Sequence, residues 1–383
     1  MALTVRPPIT ALPSYSLTSD LLGFLRCGLQ YRYTRIGNLP SSHPVQLWFG
    51  QFIHAVLEEA YREVNDNSEP LPPWTQDEID EIMDRIDRRL VAQNIRCWDD
   101  KSRDLGRKRA TAAVNELGPV LFPLINQAEV RVRGARKLPT ALKGLIQKDI
   151  ERYEMLGVID IVTQIELFSP KARGNKLIEL VVEDLPCDPP EEFEVIVDYK
   201  GMKRPEDAGV GKKMLEIYDW QVHTYAHLRS TLTTKPIIAG VLVYLNELVP
   251  TKTDFYDLRR AVNDKKKGII VPEPDSEDEK LLLGWKPANK EDQPPLLSID
   301  FRLTRAIRVV PIDEASKKKS LKAFDDTVAR IEQCIAKESQ TGKVISSWEK
   351  NNSSEKNCEA CDAKTYCPDY SRSKKPRLPG VKK

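Results

Sequence analysis

Asp198 and Lys200 close a short apolar run near the middle of the chain, Phe193-Glu-Val-Ile-Val-Asp-Tyr-Lys200. Side chains alternate along a strand, so Ile196, Asp198 and Lys200 share one face and Val195, Val197 and Tyr199 the other. An acid and an ammonium at the end of a hydrophobic strand are costly unless they have a task. Taken alone, a surface ion pair explains them equally well. Other polar residues extend the pattern. His54 lies at the margin of a helical apolar stripe, where a lone histidine is more often just packed or solvated. Asp160 interrupts the apolar run of Gly157–Leu167. Gln221 falls in the centre of a helical apolar face, four residues before Tyr225, and a buried amide must find partners. His54, Asp160, Asp198 and the Tyr199 carbonyl oxygen form a donor set for one or two hard divalent cations such as Mg²⁺ or Mn²⁺. Such ions polarise a phosphodiester and activate water, and Lys200 beside them would orient that water and offset charge on the phosphate.

A second set of residues is sulfur-bearing: Cys358-x-x-Cys361-x₅-Cys367. A close pair and a third nearby thiolate hold either zinc or an iron–sulfur cluster. Cys27 is the best candidate for a fourth ligand, because it ends a helix amid aromatic and basic residues. Cys97, Cys187 and Cys334 lack partners at ligand spacing and read as ordinary thiols.

The elements that must position these residues follow from composition and periodicity. The chain has 383 residues, 40% hydrophobic and 30% charged, with a net charge of +2. That is the balance of an ordinary globular protein, long enough for two modest domains. A nucleic-acid partner would have to meet a local patch rather than a global field. No run approaches a membrane span, and the N-terminus lacks a signal pattern, so a cytoplasmic location with reduced thiols is expected.

In order, residues 1–15 read as a Pro-rich lead-in, and Ser16 or Thr18 can cap a helix that delivers Cys27. Tyr31–Arg35 is basic and aromatic, and a loop follows around Pro40–Pro44. Gly50–Val64 is an amphipathic helix, and 75–127 is helical and heavily charged. Strands are expected at Ala128–Val132, Gly157–Leu167, Ile178–Glu183, 193–200, Ile237–Leu248, Leu296–Leu303 and Ile307–Ile312. A helix is expected over 213–229, preceded by a turn at Gly209–Lys212, and another over Asp313–Lys337. The segments then divide as 1–65 (cluster ligand and motif helix), 66–127 (helical insertion), 128–345 (core, with an insertion at 250–296), 346–370 (cysteine segment) and 371–383 (basic tail).

The order of these elements resembles the RecB-like branch of the PD-(D/E)XK nuclease superfamily. Among its members the chain looks most like the iron–sulfur nucleases: the CRISPR-associated RecB-like nucleases, the AddB nuclease domain and the exonuclease V family. The pattern Gly-x-x-x-His is matched by Gly50 and His54, and Gly-x-Ile-Asp by Gly157 and Asp160. The acid-x-lysine is matched by Asp198 and Lys200, and Gln-x-x-x-Tyr by Gln221 and Tyr225. Ile159 stands where the superfamily's naming proline would be, as is usual in this branch, and Gly28 follows Cys27 where proline is frequent.

The resemblance implies an α/β restriction-endonuclease-like core, a central mixed sheet flanked by helices, with a helical insertion and an iron–sulfur-clipped terminus. It implies a [4Fe–4S] cluster on Cys27, Cys358, Cys361 and Cys367 rather than zinc. The activity implied is a metal-dependent deoxyribonuclease, acting on single-stranded ends or flaps in recombination, repair or defence, with DNA and a helicase or other recombination or defence subunit as the implied partners. The competing readings are an inactive nucleic-acid-binding scaffold subunit and a CRISPR-adaptation nuclease. The inserts at 66–127 and 250–296 make this chain far longer than a minimal adaptation nuclease.

Overall fold

The computed structural model describes residues 13–40, 45–142, 152–289, 292–351 and 355–373. The first twelve residues of the lead-in, positions 41–44 and 290–291, and the basic tail from 374 onward lie outside the described residues. The described strands are β1 (Ser14–Ser16), β2 (Ile125–Lys137), β3 (Arg152–Glu166), β4 (Glu192–Lys200), β5 (Ile237–Tyr244) and β6 (Ile307–Pro311). The chain divides into two compact units: Met1–Ser42 with Arg131–Gly157 and Lys318–Lys383, and His43–Val130 with Val158–Lys317.

The larger unit is a mixed α/β fold. Within it β3 and β4 run antiparallel, β4 and β5 parallel, and β5 and β6 antiparallel. With a partner on each side, β4 is buried on both faces from Phe193 to Tyr199. That explains its continuous apolar run in place of alternation. Helices α1 (Val45–Asp66), α2 (Gln76–Ala92), α3 (Asp100–Ala112), α4 (Lys176–Asp184), α5 (Gly209–Arg229) and α6 (Ile299–Ala306) are among the helices of this unit. The sheet packs against α5 along β4 and β5, and against α4 and α6 at β6.

Thr75 and Glu78 form a reciprocal capping box at the start of α2, satisfying two backbone donors that the helix itself cannot. One apolar core joins Trp48, Phe52, Ile53 and Val56 of α1, Ile79 and Ile86 of α2, and Val195 and Val197 of β4. Each such side chain contributes about 1.5–3 kcal/mol when fully buried. Arg229 donates two bonds of 2.8 Å to Glu194, anchoring the end of α5 to the start of β4.

Three segments differ from the sequence reading. Residues 178–183 are helical, part of α4, because Asn175 caps the first turn through Leu177 and Ile178 and the apolar residues fall on one helical face. Residues 299–303 lie in α6, whose N-terminus Ser298 caps. Gly209–Lys212 is the first turn of α5 rather than a separate turn. Along α5, Ile217 is exposed while Leu215 and Val222 are buried, so the buried face is rotated slightly from the expected stripe.

In the smaller unit β1 pairs in parallel with Glu154–Leu156 of β3. Ser16 caps the turn at Leu17–Leu21, as expected. Helix α7 (Glu314–Thr341) supplies Phe324, which stacks on Tyr153. Arg32 is 1% exposed and binds Glu338 through Nε at 2.7 Å and Nη2 at 2.6 Å, while Trp348 Nε1 donates to the same carboxylate. Deleting one partner of such a buried pair costs about 3–5 kcal/mol. Among the described residues, no helix is long and apolar enough to cross a membrane.

Candidate active site and a cysteine-lined cavity

The β3–β4 ladder pairs Ile161 with Val197. Continuing that register by one residue sets Asp160 opposite Asp198, and like charges facing each other across a ladder are destabilising. The surroundings partly offset the repulsion. The Tyr199 backbone N–H donates to Asp160 Oδ2 at 2.9 Å. Lys200 Nζ lies 2.5 Å from Asp198 Oδ2, and Gln221 Nε2 donates to Asp198 Oδ1 at 2.7 Å. Lys200 Nζ also donates to Gln221 Oε1 at 2.8 Å and stands 4.4 Å above the Tyr218 ring. Tyr225 Oη is 3.4 Å from Gln221 Nε2. The strand pair and the helix amide therefore form one closed network.

His54 faces the same place from α1. Its Nδ1 lies 3.6 Å from Asp160 Oδ2, and its ring meets Tyr199 edge-on at 5.3 Å. The α1 backbone comes close to the end of β4 here, a Cβ on Gly201 standing in ordinary van der Waals contact with the Gly50 Cα at 3.4 Å.

The electrostatics are those of crowded acids. Burial, and next the Asp198 carboxylate, push Asp160 up to about 8. Burial lowers His54, with Asp198 pulling the other way, which leaves a neutral imidazole with a lone pair to donate.

Sequence reasoning missed Glu129. Its carboxyl is raised by partial burial and then by Asp160. Its backbone takes φ 51°, a left-handed conformation that a non-glycine residue adopts only where its surroundings impose it. Glu129, His54, Asp160 and Tyr199 line a cavity of about 10 Å³, roughly the volume that admits one water-sized sphere. The Tyr199 hydroxyl is buried there without a hydrogen-bond partner among the described residues. The available signal was a single acid within the alternating Ala128–Val132 run.

The structure thus brings His54 to Asp160, and Asp198 to Lys200, Gln221 and Tyr225. Among the described residues, no three His, Cys, Asp or Glu side chains are arranged as ligands of a single metal ion. On donor chemistry the site nevertheless fits a hard cation, with clustered carboxylates, a neutral imidazole and an unsatisfied buried hydroxyl.

Cys27, Cys358, Cys361 and Cys367 all belong to the smaller unit. Cys27 sits at the break between helices Leu22–Arg26 and Gly28–Tyr31. Gly28 is needed beside it, since a Cβ there would lie 2.9 Å from the Phe24 ring and 3.0 Å from the Glu349 carbonyl. Backbone turns link the other three, Cys361 N to Cys358 O at 3.3 Å and Cys367 N to Lys364 O at 3.1 Å. Cys27, Cys358, Cys361 and Cys367 together line a cavity of about 250 Å³. Burial raises the Cys361 thiol, and Cys27 and Cys367 are near enough to raise it further. Cys97 and Cys334 are buried elsewhere, Cys187 is exposed, and none of the cysteines forms a disulfide.

The chain is thus an α/β protein, a mixed sheet flanked by helices that carries an acid and an acid-x-lysine on adjacent strands. The particular match is the model of the PD-(D/E)XK nuclease superfamily, which covers residues 18–166. That span holds Cys27, His54 and Asp160 and stops before Asp198. No curated protein matches the chain.

Proposed function

We propose that the chain is a metal-dependent DNA nuclease acting on single-stranded ends or flaps, of the RecB-like kind, in recombination, repair or defence. The observation that carries this reading is the network of Asp198, Lys200 and Gln221 beside Asp160. His54, Asp160, Asp198 and the Tyr199 carbonyl would hold Mg²⁺ or Mn²⁺, with Glu129 close by. A cation bound there polarises the scissile phosphate and lowers the pKa of water.

The protein's own groups do the rest. Lys200 is held by Gln221 where its ammonium can orient the attacking water and balance charge on the phosphate. Tyr225 steadies the amide. His54, kept neutral by burial, would offer a ring-nitrogen lone pair to that cation.

For the second centre we propose a [4Fe–4S] cluster with a structural role. Four thiols around a cavity of about 250 Å³ support a group larger than one ion. Tetrahedral zinc would draw the sulfurs to about 2.3 Å from a shared centre and leave no such space. Iron–sulfur clusters take four thiolates of this kind.

The test is degradation of labelled single and double strands with Mn²⁺. Asp198→Ala and Lys200→Ala should each lose about 100-fold or more in rate. Variants as active as the wild type would mean that the site lies elsewhere, and an inactive wild type that still binds DNA would favour a scaffold subunit.

A further inference from the structure

The extended segment leading into α3 alternates sharply between inside and outside. Ile95 is 8% exposed and Cys97 3%, whereas Trp98 is 79% exposed. The Arg96 guanidinium lies over the Trp98 ring, 5.4 Å from its centroid. The segment is pinned from below. Arg103 Nη2 donates to the Cys97 carbonyl at 2.8 Å, and Asp99 caps α3 through the backbone N–H groups of Lys101 and Ser102. A tryptophan held out into solvent on a fixed backbone forfeits the burial that normally stabilises so large a side chain.

The same helix leads to the active site. Gly106 lets α3 close on α1, since a Cβ there would meet the Trp48 ring at 2.9 Å. Three residues on, Arg109 lies over the Phe49 ring at 5.3 Å. Phe49 adjoins Gly50, which abuts Gly201 next to Lys200. From its first residue to Arg109 the helix rises about 14 Å, a span of a few nucleotides.

We infer that Trp98, with Arg96 laid over one face of its ring, is a stacking step for an unpaired base of the nucleic-acid strand whose phosphate is cut at Lys200. Stacking is tolerant of base identity, and the guanidinium adds attraction for the neighbouring phosphate. A base stacked in a duplex presents no free face, so the step favours single strands. This inference rests on the nuclease reading, and the experiment separates the two.

Full-length wild type, Trp98→Ala, Trp98→Phe and Arg96→Ala are compared in two assays. One is binding of a fluorescent oligothymidylate and of a blunt duplex in EDTA. The other is Mn²⁺-dependent hydrolysis of bis(4-nitrophenyl) phosphate, too small to reach Trp98. Trp98→Ala should weaken oligothymidylate binding about tenfold, with Trp98→Phe recovering most of the loss. Arg96→Ala should weaken it less, and hydrolysis of the small ester should be unchanged throughout. Unaltered oligothymidylate affinity in Trp98→Ala overturns the inference, as does an equal loss on the duplex, which would mark a general contact. Oligothymidylate that fails to bind the wild type also overturns it, and in that event a protein-docking role for Trp98 is favoured. Absence of small-ester hydrolysis in the wild type counts against the nuclease reading instead.

Discussion

Lys200 Nζ donates to Gln221 Oε1 across 2.8 Å, so a strand lysine and a helix amide hold one another in place. The same amide donates its Nε2 to Asp198 at 2.7 Å, which leaves one orientation that satisfies both neighbours. Gln221 is thus a positioning residue for the acid and the lysine together. Replacing it with leucine should keep the fold, since the site is buried beside Val222, while the ammonium loses the amide and keeps only Asp198. Turnover on a single-stranded substrate with Mn²⁺ is expected to fall by about 10–100-fold, the usual effect of losing an orienting partner. Tyr225→Phe, which removes the longer 3.4 Å contact to the amide, should cost less. A Gln221→Leu enzyme with wild-type turnover would remove the amide from the mechanism.

Asp160 makes the metal-free protein sensitive to pH in a definite direction. Its folded-state pKa is raised to about 8 by burial and by Asp198, from an ordinary 3.8. Between those values the folded state keeps a proton that the unfolded chain releases. Stability in chelator therefore declines as pH rises through this window, with the full penalty reached above about pH 8. Asp160→Asn removes the penalty. Its melting temperature in EDTA should exceed that of the wild type at pH 8, and the gap should narrow toward pH 4, while the proposed nuclease activity should be lost. A variant less stable than the wild type at pH 8 would show that the carboxylate is well accommodated in the folded state.

The candidate site's placement was legible where periodicity and residue type spoke together. Asp198 and Lys200 stood out because a period of two puts them on one face of a strand too apolar to carry them casually, and β4 is indeed buried on both sides. Gln221 stood out as an amide on an apolar stripe, and it is 5% exposed. Glu129 offered only a lone acid in an alternating run, and nothing in Ala128–Val132 announces that its backbone turns left-handed. The misread segments share one cause. In Ile178–Glu183 β-branched residues argue for a strand, while the Asn175 cap and an i, i+3, i+4 apolar face argue for a helix, and tertiary packing sides with the cap. Ser298 decides α6 in the same way.

Gly240 ties the sheet to the helix that carries Gln221. A Cβ on Gly240 would stand 1.9 Å from Val222 Cγ1, one residue beyond that amide. Gly240→Ala should push α5 away from β5, cost about 1–3 kcal/mol through overpacking, and lower turnover by displacing the amide from Lys200. Val222→Ala introduced alongside should restore much of both, because it clears the space the new methyl needs. Thermal melts and Mn²⁺-dependent rates of the two single variants and the double variant form the check, and additive losses would refute the coupling.

The cysteine-lined cavity leads to a prediction with a visible readout. Cys27 reaches it from the N-terminal helices, and Cys358, Cys361 and Cys367 reach it from the C-terminal turns, so a group bound there cross-links segments more than 300 residues apart in the chain. Closing so long a loop contributes directly to folding. Protein purified without oxygen should be brown and contain about four iron atoms. Cys27→Ser and Cys361→Ser should bleach it and lower the melting temperature, as should removal of the iron. Cys187→Ser, at an exposed position outside the cavity, should change neither colour nor melting. Colourless protein carrying one zinc per chain would refute the cluster and leave the catalytic assignment untouched, since none of Asp160, Asp198 and Lys200 lines the cavity.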